Sequence, residues 1–115
     1  MASAAPPPLG EFELVVLLAV LHVAESGGLA YGSPVRNEIE RRGKRPVTRG
    51  AVYVTLDRLE DKGLLTSRLA NGSAVRGHKP KRVFNVTAPG LRAVQQSLEL
   101  VARMQHGLAL TRVKA

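Results

Sequence analysis

Segment 48–63 constrains the fold more than any other part of the sequence, because it carries helical signals at both ends. Thr48 suits an N-cap, and Gly63 suits the left-handed residue that follows a helix. By itself this helix could be an ordinary surface helix. The turn 43–46 before it, Gly-Lys-Arg-Pro, is so short that we expect a helix-turn-helix with segment 48–63 as its second helix. The buried side is predicted by apolar residues at helical spacing: Val52, Leu56 and Leu59.

Two helices are predicted before this segment. The first, over about 9–24, is apolar around nearly its whole circumference, which is typical of a helix buried on all sides. Because one small chain offers little cover, we expect part of this helix to face a second subunit. The next helix begins near 31–34, with Ser33 as N-cap and Pro34 in the first helical position.

After Gly63 the period changes to that of strands. Segments 64–69 and 82–87 predict two strands joined by a long basic tip, and this hairpin is the wing of a winged helix. Thr87 caps a last helix with Pro89 in its first turn, and an apolar stripe continues through 92–110. We therefore expect a disordered tail over 1–8, a winged helix-turn-helix domain over 9–87, a dimerisation helix over 88–110 and a tail over 111–115.

Charge points to an anionic partner. The net charge is +8 in 115 residues, and no Asp or Glu lies between Lys62 and Leu98, whereas seven Lys and Arg residues occur from Lys62 to Arg92. Such segregation favours nucleic acid first and a membrane surface second. The chain has no cysteine, which excludes thiol chemistry and fits a cytoplasmic location. The three histidines lack metal-ligand or catalytic spacing, so we expect no metal, no cofactor and no enzyme activity.

The sequence resembles the PadR family of winged-helix transcription regulators. The resemblance rests on 9–13 (LGEFE), 31–32 (YG), 50–53 (GAVY), 55–60 (TLDRLE) and 86–90 (VTAPG), and it covers roughly residues 9–104. It implies a mainly α fold with a small β-hairpin and a homodimer on pseudo-palindromic double-stranded DNA, usually as a repressor. Within this family, the sequence resembles the short members, which have a single C-terminal helix. The sequence identifies no small-molecule effector.

The first turns of segment 48–63 are expected to enter the major groove. Thr48 begins that helix, and Arg49 either reads a guanine edge or contacts phosphate. Gly50 either allows the backbone close to the duplex or tolerates a tight helix contact. Tyr53 either bonds phosphate through its hydroxyl or packs over the turn of the helix that begins near 31–34. Val54 either touches a thymine methyl or is an isolated exposed residue.

Further cations are expected at the same surface. Arg58 lies farther along the helix and could pair with Asp57 or Asp61 instead of DNA. In the wing, the candidates for phosphate or minor-groove contacts are Arg76, His78, Lys79, Lys81 and Arg82. The alternative for these is a flexible cationic loop without fixed contacts. The predicted dimer interface consists of Phe12, Val16, Val20, Leu91, Val94, Leu98, Val101 and Met104.

Two other functions fit the same features. One is an architectural protein that binds DNA without sequence preference. The other is a basic module that binds proteins or membrane surfaces, for which the apolar first helix and the basic surface would be the support. The affinities for specific and scrambled DNA distinguish an architectural protein from a sequence-specific regulator. Binding to anionic vesicles but not to duplex DNA would indicate the membrane-surface module.

Overall fold

The computed structural model describes residues 8–70 and 80–110, so the predicted tail 111–115 and all but Pro8 of the tail 1–8 lie outside it. Four helices and one antiparallel hairpin follow each other in the order α1 (Glu11–Glu25), α2 (Gly32–Gly43), α3 (Arg49–Asp61), β1 (Leu65–Ala70), β2 (Lys81–Val86) and α4 (Ala88–Gln105). The mainly α winged-helix fold predicted from the sequence is confirmed.

The start of α1 is closed by its own first turn. Glu13 accepts a hydrogen bond from the backbone N–H of Gly10 at 2.9 Å, which satisfies one of the amides that a helix start leaves free. Its carboxylate also accepts from Lys62 at the end of α3, at 2.7 Å. This buried residue therefore ties the beginning of the first helix to the end of the third.

The predicted start of α2 is wrong in detail. Tyr31, not Ser33, is the N-cap, and Pro34 occupies the third helical position instead of the first. The first intrahelical bond already runs from the amide of Val35 to the carbonyl of Tyr31, at 3.1 Å. A proline fits anywhere in the first turn, because the amides there have no intrahelical acceptor. The sequence signal therefore located the first turn but not the residue that begins it.

Both predicted ends of α3 are confirmed. Thr48 Oγ1 accepts from the amide of Ala51 at 3.0 Å, and Gly63 has a φ of +76°, the left-handed conformation that glycine adopts most easily. The amide of Leu64 then donates to the carbonyl of Leu59 at 3.0 Å, so the chain turns directly into β1.

The hairpin pairs β1 with β2 in register from Leu65 opposite Val86 to Ala70 opposite Lys81. The amide of Phe84 donates to the carbonyl of Ala30 at 2.8 Å, which fixes the hairpin to the segment between α1 and α2. Thr87 caps α4 as predicted, accepting from the amide of Gly90 at 3.1 Å. The helix ends at Gln105, five residues before the predicted limit, and Gly107 follows with a φ of +86°.

In the described residues the core lies between α1, α2, α3, the hairpin and the first turns of α4. Its largest fully buried side chains are Phe84, Leu17, Leu56, Leu59, Leu65, Val16, Val20, Val35 and Val52. No helix in the described part of the chain has both the length and the hydropathy that a membrane crossing requires.

Candidate nucleic-acid interface

The buried stripe of α3 determines which side chains the helix presents outwards. Val52, Leu56 and Leu59 are each 0% exposed, and they anchor the helix in the core. Arg49 and Gly50 are exposed in the first turn, and Val54 has 56% of its surface exposed one turn later. The first two turns of α3 therefore offer an uncovered face at the helix N-terminus, which is also the positive end of the helix dipole.

Gly50 has open space around it. A Cβ built at this position meets no atom of the described residues within 4 Å. The sequence allowed two interpretations of Gly50: close approach of the backbone to the duplex, or a tight contact with another helix. Within the described part of the chain, the open space excludes a tight contact with another helix of the same protomer. A glycine on an exposed helical face reduces helix stability, and no packing contact of Gly50 with another described element offsets that cost.

Two side chains of α2 hold the turn before α3. Arg36 Nε donates to the carbonyl of Val47 at 2.9 Å, and Glu40 accepts from the amide of the same residue at 3.2 Å. Arg36 and Glu40 are also one helical turn apart, with 3.7 Å between their charged atoms. Both backbone groups of Val47 are thus bonded immediately before the N-cap, which fixes the direction in which α3 begins.

Tyr53 packs against the start of α2. A Cβ placed on Gly32 would lie 2.2 Å from both Cζ and Oη of Tyr53. Only glycine therefore leaves room for this ring, which is half-buried. The packing interpretation of Tyr53 fits this geometry, and its contact with phosphate remains a prediction.

Arg82 of β2 does not point freely outwards, as its assignment to a phosphate would suggest. Its Nη1 donates to Asp57 Oδ1 of α3 at 2.6 Å, and its Nη2 donates to Glu60. Its Nε donates to Ser67 Oγ at 3.2 Å, and the guanidinium carbon lies 4.8 Å from the centre of the Phe84 ring. All three guanidinium nitrogens are therefore occupied within the protein.

The protonation equilibria reflect this network. Hydrogen bonds from the Ser67 hydroxyl and from Arg82 hold the pKa of Glu60 below its ordinary value. The hydrogen bond to Asp57 and the one to Glu60 raise the pKa of Arg82. Glu60 and Arg82 therefore both remain charged at neutral pH. Asp57 pairs with the wing and not with its neighbour Arg58.

The other predicted wing residues are only partly described. Lys81 lies with its ammonium 5.6 Å from the centre of the Tyr31 ring, a cation–π arrangement. Arg76, His78 and Lys79 fall outside the described residues. Arg58 is exposed on α3, one turn beyond Val54.

Comparison with known proteins decides the family. The family model described as "Transcriptional regulator PadR-like family" matches residues 20–96. The chain belongs to the PadR-like family of transcriptional regulators. The resemblance inferred from the sequence is thereby confirmed, and DNA-binding regulation of transcription follows as its general role. No curated protein sequence matches the chain at a significant level.

Solved structures agree with this PadR-like fold. A PadR family transcription regulator from Clostridium difficile R20291 has a TM-score of 0.64 at 17% identity, covering 84% of this chain and 95% of that one. A PadR family regulator from Eggerthella lenta DSM 2243 has a TM-score of 0.55 at 26% identity, covering 84% and 89%. The complex structure of hsRosR-S4 has a TM-score of 0.65 at 23% identity, covering 88% of this chain and 77% of that one.

The residues predicted for a dimer interface separate into three groups in this PadR-like chain: buried, half-buried and exposed. Val16, Val20 and Val94 are 0%, 1% and 5% exposed, so they belong to the core and have almost no surface left for a partner. Their assignment to the interface was wrong. For Val16 and Val20 the reason is that an all-apolar helix does not reveal which side meets its own core, and for Val94 it is that the first turns of α4 pack on that core. Phe12 is half-buried. Four remain largely exposed along α4: Leu91, Leu98, Val101 and Met104.

Sequence reasoning missed several residues of the two candidate surfaces, the exposed face of α4 and the face formed by α3 with the wing. Leu100, 46% exposed, adds to the uncovered apolar surface of α4. The bonds of Arg36 and Glu40 to Val47 were also unforeseen, although the one-turn spacing of these two residues on α2 was a signal. For the pairing of Asp57 with Arg82 the sequence offers no signal, because the partners lie on different elements.

Proposed function

We propose that the chain is a sequence-specific repressor that binds pseudo-palindromic double-stranded DNA as a homodimer. The observation that carries the proposal is the uncovered N-terminal face of α3, with Arg49, Gly50 and Val54 outermost. A face of this kind fits the major groove, where arginine is the commonest reader of guanine and apolar groups contact the thymine methyl. A repressor acts in the cytoplasm of a bacterial-type cell by occupying promoter DNA.

The basic part of the chain supports the same proposal. Seven Lys and Arg residues but no carboxylate occur from Lys62 to Arg92 in the sequence, and this stretch contains the hairpin beside α3. Cations near phosphates strengthen binding by counterion release and make it sensitive to salt. Arg76, His78, Lys79 and Lys81 are proposed as wing contacts, Tyr53 and Arg58 as phosphate contacts from α3.

The exposed face of α4 supports a homodimer. Leu98, Val101 and Met104 are 47%, 56% and 71% exposed within one protomer, although helices normally bury such a stripe. A second copy of the chain would cover it with α4 and the outer side of α1. Two reading helices would then lie about one DNA turn apart, roughly 34–36 Å, so a two-fold dimer requires a pseudo-palindromic site.

Footprinting and gel-shift titration test the DNA-binding proposal. The DNA is the region upstream of the chain's own gene, compared with a scrambled duplex of equal length. The proposal requires at least about a thousandfold preference for the specific site at physiological salt. Equal affinities would favour an architectural protein, and binding to anionic vesicles without binding to DNA would favour a membrane-surface module.

A matched pair of variants tests the reading face. Arg49→Ala is expected to lose affinity for the specific duplex by about 1–3 kcal/mol while changing scrambled binding little, as for a base contact. Arg92→Ala, which removes an exposed cation from α4, is expected to keep the discrimination. A loss on both duplexes to the same extent would reassign Arg49 to phosphate.

Light scattering after size exclusion tests the dimer. Met104→Glu places a charge on the α4 face and is expected to give monomers. Leu69→Glu is the control, because Leu69 has the same exposure, 71%, but lies on β1 of the wing. Monomers in both variants, or dimers in both, would contradict the assignment of the interface to α4.

A further inference from the structure

Two carboxylates lie on the helix that is proposed to enter the groove. Asp57 follows Gly50 by two helical turns and Val54 by one, so it shares their side of α3, and it is exposed. Glu60 lies in the next turn and is half-buried. Side chains on a helix lean towards its N-terminus, which brings these groups closer to the reading face. Uncompensated, they would repel the phosphates that flank the groove.

One arginine meets both of them. Arg82 reaches across from β2 to Asp57 at 2.6 Å and to Glu60, and its position is further defined by Ser67 Oγ and the Phe84 ring. Ser67 also donates to Glu60 Oε2 at 2.7 Å. Three of the five N–H donors of the guanidinium are used in this way, and the two carboxylates that it contacts offset its positive charge, so its attraction for a phosphate is weak.

We propose that Arg82 is a positioning residue for DNA binding, which acts by holding Asp57 and Glu60 of the reading helix in hydrogen bonds and offsetting one of their two negative charges, and not by contacting DNA itself. The inference rests on the proposed function, since it assigns a role within that same surface. It replaces the assignment of Arg82 to a phosphate.

Stability alone gives a weak reason for this network. The side chains of Arg82, Asp57 and Glu60 are 39%, 55% and 30% exposed, and ion pairs with such exposure contribute little to folding. Their effect on an approaching polyanion is larger, because the removal of Arg82 would leave two negative charges within about one Debye length of the phosphates. The network also joins the wing to α3, so both elements approach the duplex as one unit.

A double-mutant cycle tests the proposal, with affinity for the specific duplex as the readout. The four proteins are the wild type, Arg82→Ala, Asp57→Asn with Glu60→Gln, and the triple variant. Arg82→Ala is expected to weaken binding about tenfold in the wild-type background. In the Asn/Gln background the same change is expected to cost less than about threefold, because no carboxylate is then released from its hydrogen bonds to turn towards the phosphates, and only the loss of one positive charge is left. A direct phosphate contact would instead give the same loss in both backgrounds, which would overturn the proposal.

Two further measurements separate charge from folding. The loss in Arg82→Ala is expected to shrink as salt rises from 50 to 200 mM, roughly, because repulsion between exposed charges is screened. A loss that is independent of salt would indicate a merely structural role and would overturn the proposal. Circular dichroism and thermal unfolding establish that each variant is folded.

A matched background controls for net charge. Glu25→Gln with Glu99→Gln removes two exposed carboxylates outside the network, so its net charge equals that of the Asn/Gln background. Arg82→Ala is expected to keep its full tenfold loss there, and rescue in this background would contradict the local mechanism. Failure of the proposed function is distinguishable, because the wild type itself would then bind specific and scrambled duplexes equally.

Discussion

Gly50→Ala is expected to act in opposite directions on stability and on DNA binding. The added methyl group meets no atom of the described residues within 4 Å, so it causes no clash inside the protomer. Alanine has a better helix propensity than glycine by about 0.5–1 kcal/mol. Thermal unfolding at equal protomer concentration is therefore expected to shift upwards by a few degrees.

The same methyl group projects from the face that is proposed to enter the groove. If the backbone of α3 approaches the duplex closely at Gly50, the methyl group overpacks that contact at a cost of about 1–3 kcal/mol. The dissociation constant for the specific duplex is then expected to rise about 5- to 150-fold. Fluorescence anisotropy with a labelled duplex measures this change, and the unfolding curve of the same preparation measures the gain in stability.

A more stable Gly50→Ala protein with wild-type affinity would refute the reasoning. It would mean that the first turn of α3 does not approach the duplex closely, and the reading face would have to be sought elsewhere. Asn37→Ala, an exposed substitution on α2, serves as a control for helix propensity, since it is expected to gain stability without losing affinity.

Three further predictions concern the contacts that hold the helices. Gly32→Ala is expected to cost about 1–3 kcal/mol of unfolding free energy, because its Cβ would lie 2.2 Å from the ring of Tyr53. In a Tyr53→Ala background, denaturant unfolding should detect almost no cost of the same substitution. Equal costs in the two backgrounds would contradict the contact. Thr87→Ala is expected to lower the free energy of unfolding by about 2 kcal/mol, and Thr48→Ala by about 1 kcal/mol. The difference arises because Thr87 caps α4 and also donates to the carbonyl of Gly63 at 2.8 Å, whereas Thr48 makes the cap bond alone. Equal losses in urea unfolding would argue against the second bond of Thr87. Burial by itself would raise the pKa of Glu13, but its bonds from Lys62 and Gly10 hold it below the ordinary value of 4.5. The ionised carboxylate of Glu13 thus stabilises the fold above about pH 4.5, and this stabilisation is lost as the pH falls through the lower folded-state pKa. Thermal unfolding of Glu13→Gln should depend less steeply on pH in that window, and an unchanged pH dependence would contradict the shift.

Local signals predicted α3 and the hairpin well. Thr48, Gly63 and Thr87 act within one or two turns of the chain, so their geometry can be inferred from neighbouring residues. The short turn before α3 and the hairpin after it predicted the winged helix, and the family resemblance agreed with that arrangement. The limits of the elements were less certain: β1 begins one residue later than expected, and α4 ends at Gln105.

Contacts between distant elements could not be predicted in the same way. Glu13 and Lys62 are 49 residues apart, and Asp57 and Arg82 are 25 apart. Which carboxylate meets which cation depends on the packing of whole elements, and periodicity does not contain that information. The same limit explains Val16, since a helix with apolar residues on all sides gives no sign of which side faces its own core.

The start of α4 is joined directly to the end of α3, and this junction couples the proposed dimer interface to the reading face. The amide of Thr87 donates to the carbonyl of Leu64 at 3.1 Å. Gly90 lies so close that a Cβ there would be 2.2 Å from the same carbonyl oxygen. Since α4 carries the exposed apolar face and α3 the residues that are proposed to face the groove, we expect their relative angle to set the distance between the two reading helices of the proposed dimer.

Gly90→Ala is therefore expected to alter the spacing of the operator half-sites that the protein prefers. The backbone carbonyl of Leu64 cannot avoid the methyl group by changing a rotamer, so α4 has to move away from α3. We expect a folded dimer with lower affinity for the natural site, and a smaller loss on a site whose half-sites are one base pair closer or farther apart. Gel-shift titration against the three spacings measures this. If the variant remains dimeric and loses affinity equally on all three, the junction does not set the distance between the reading helices.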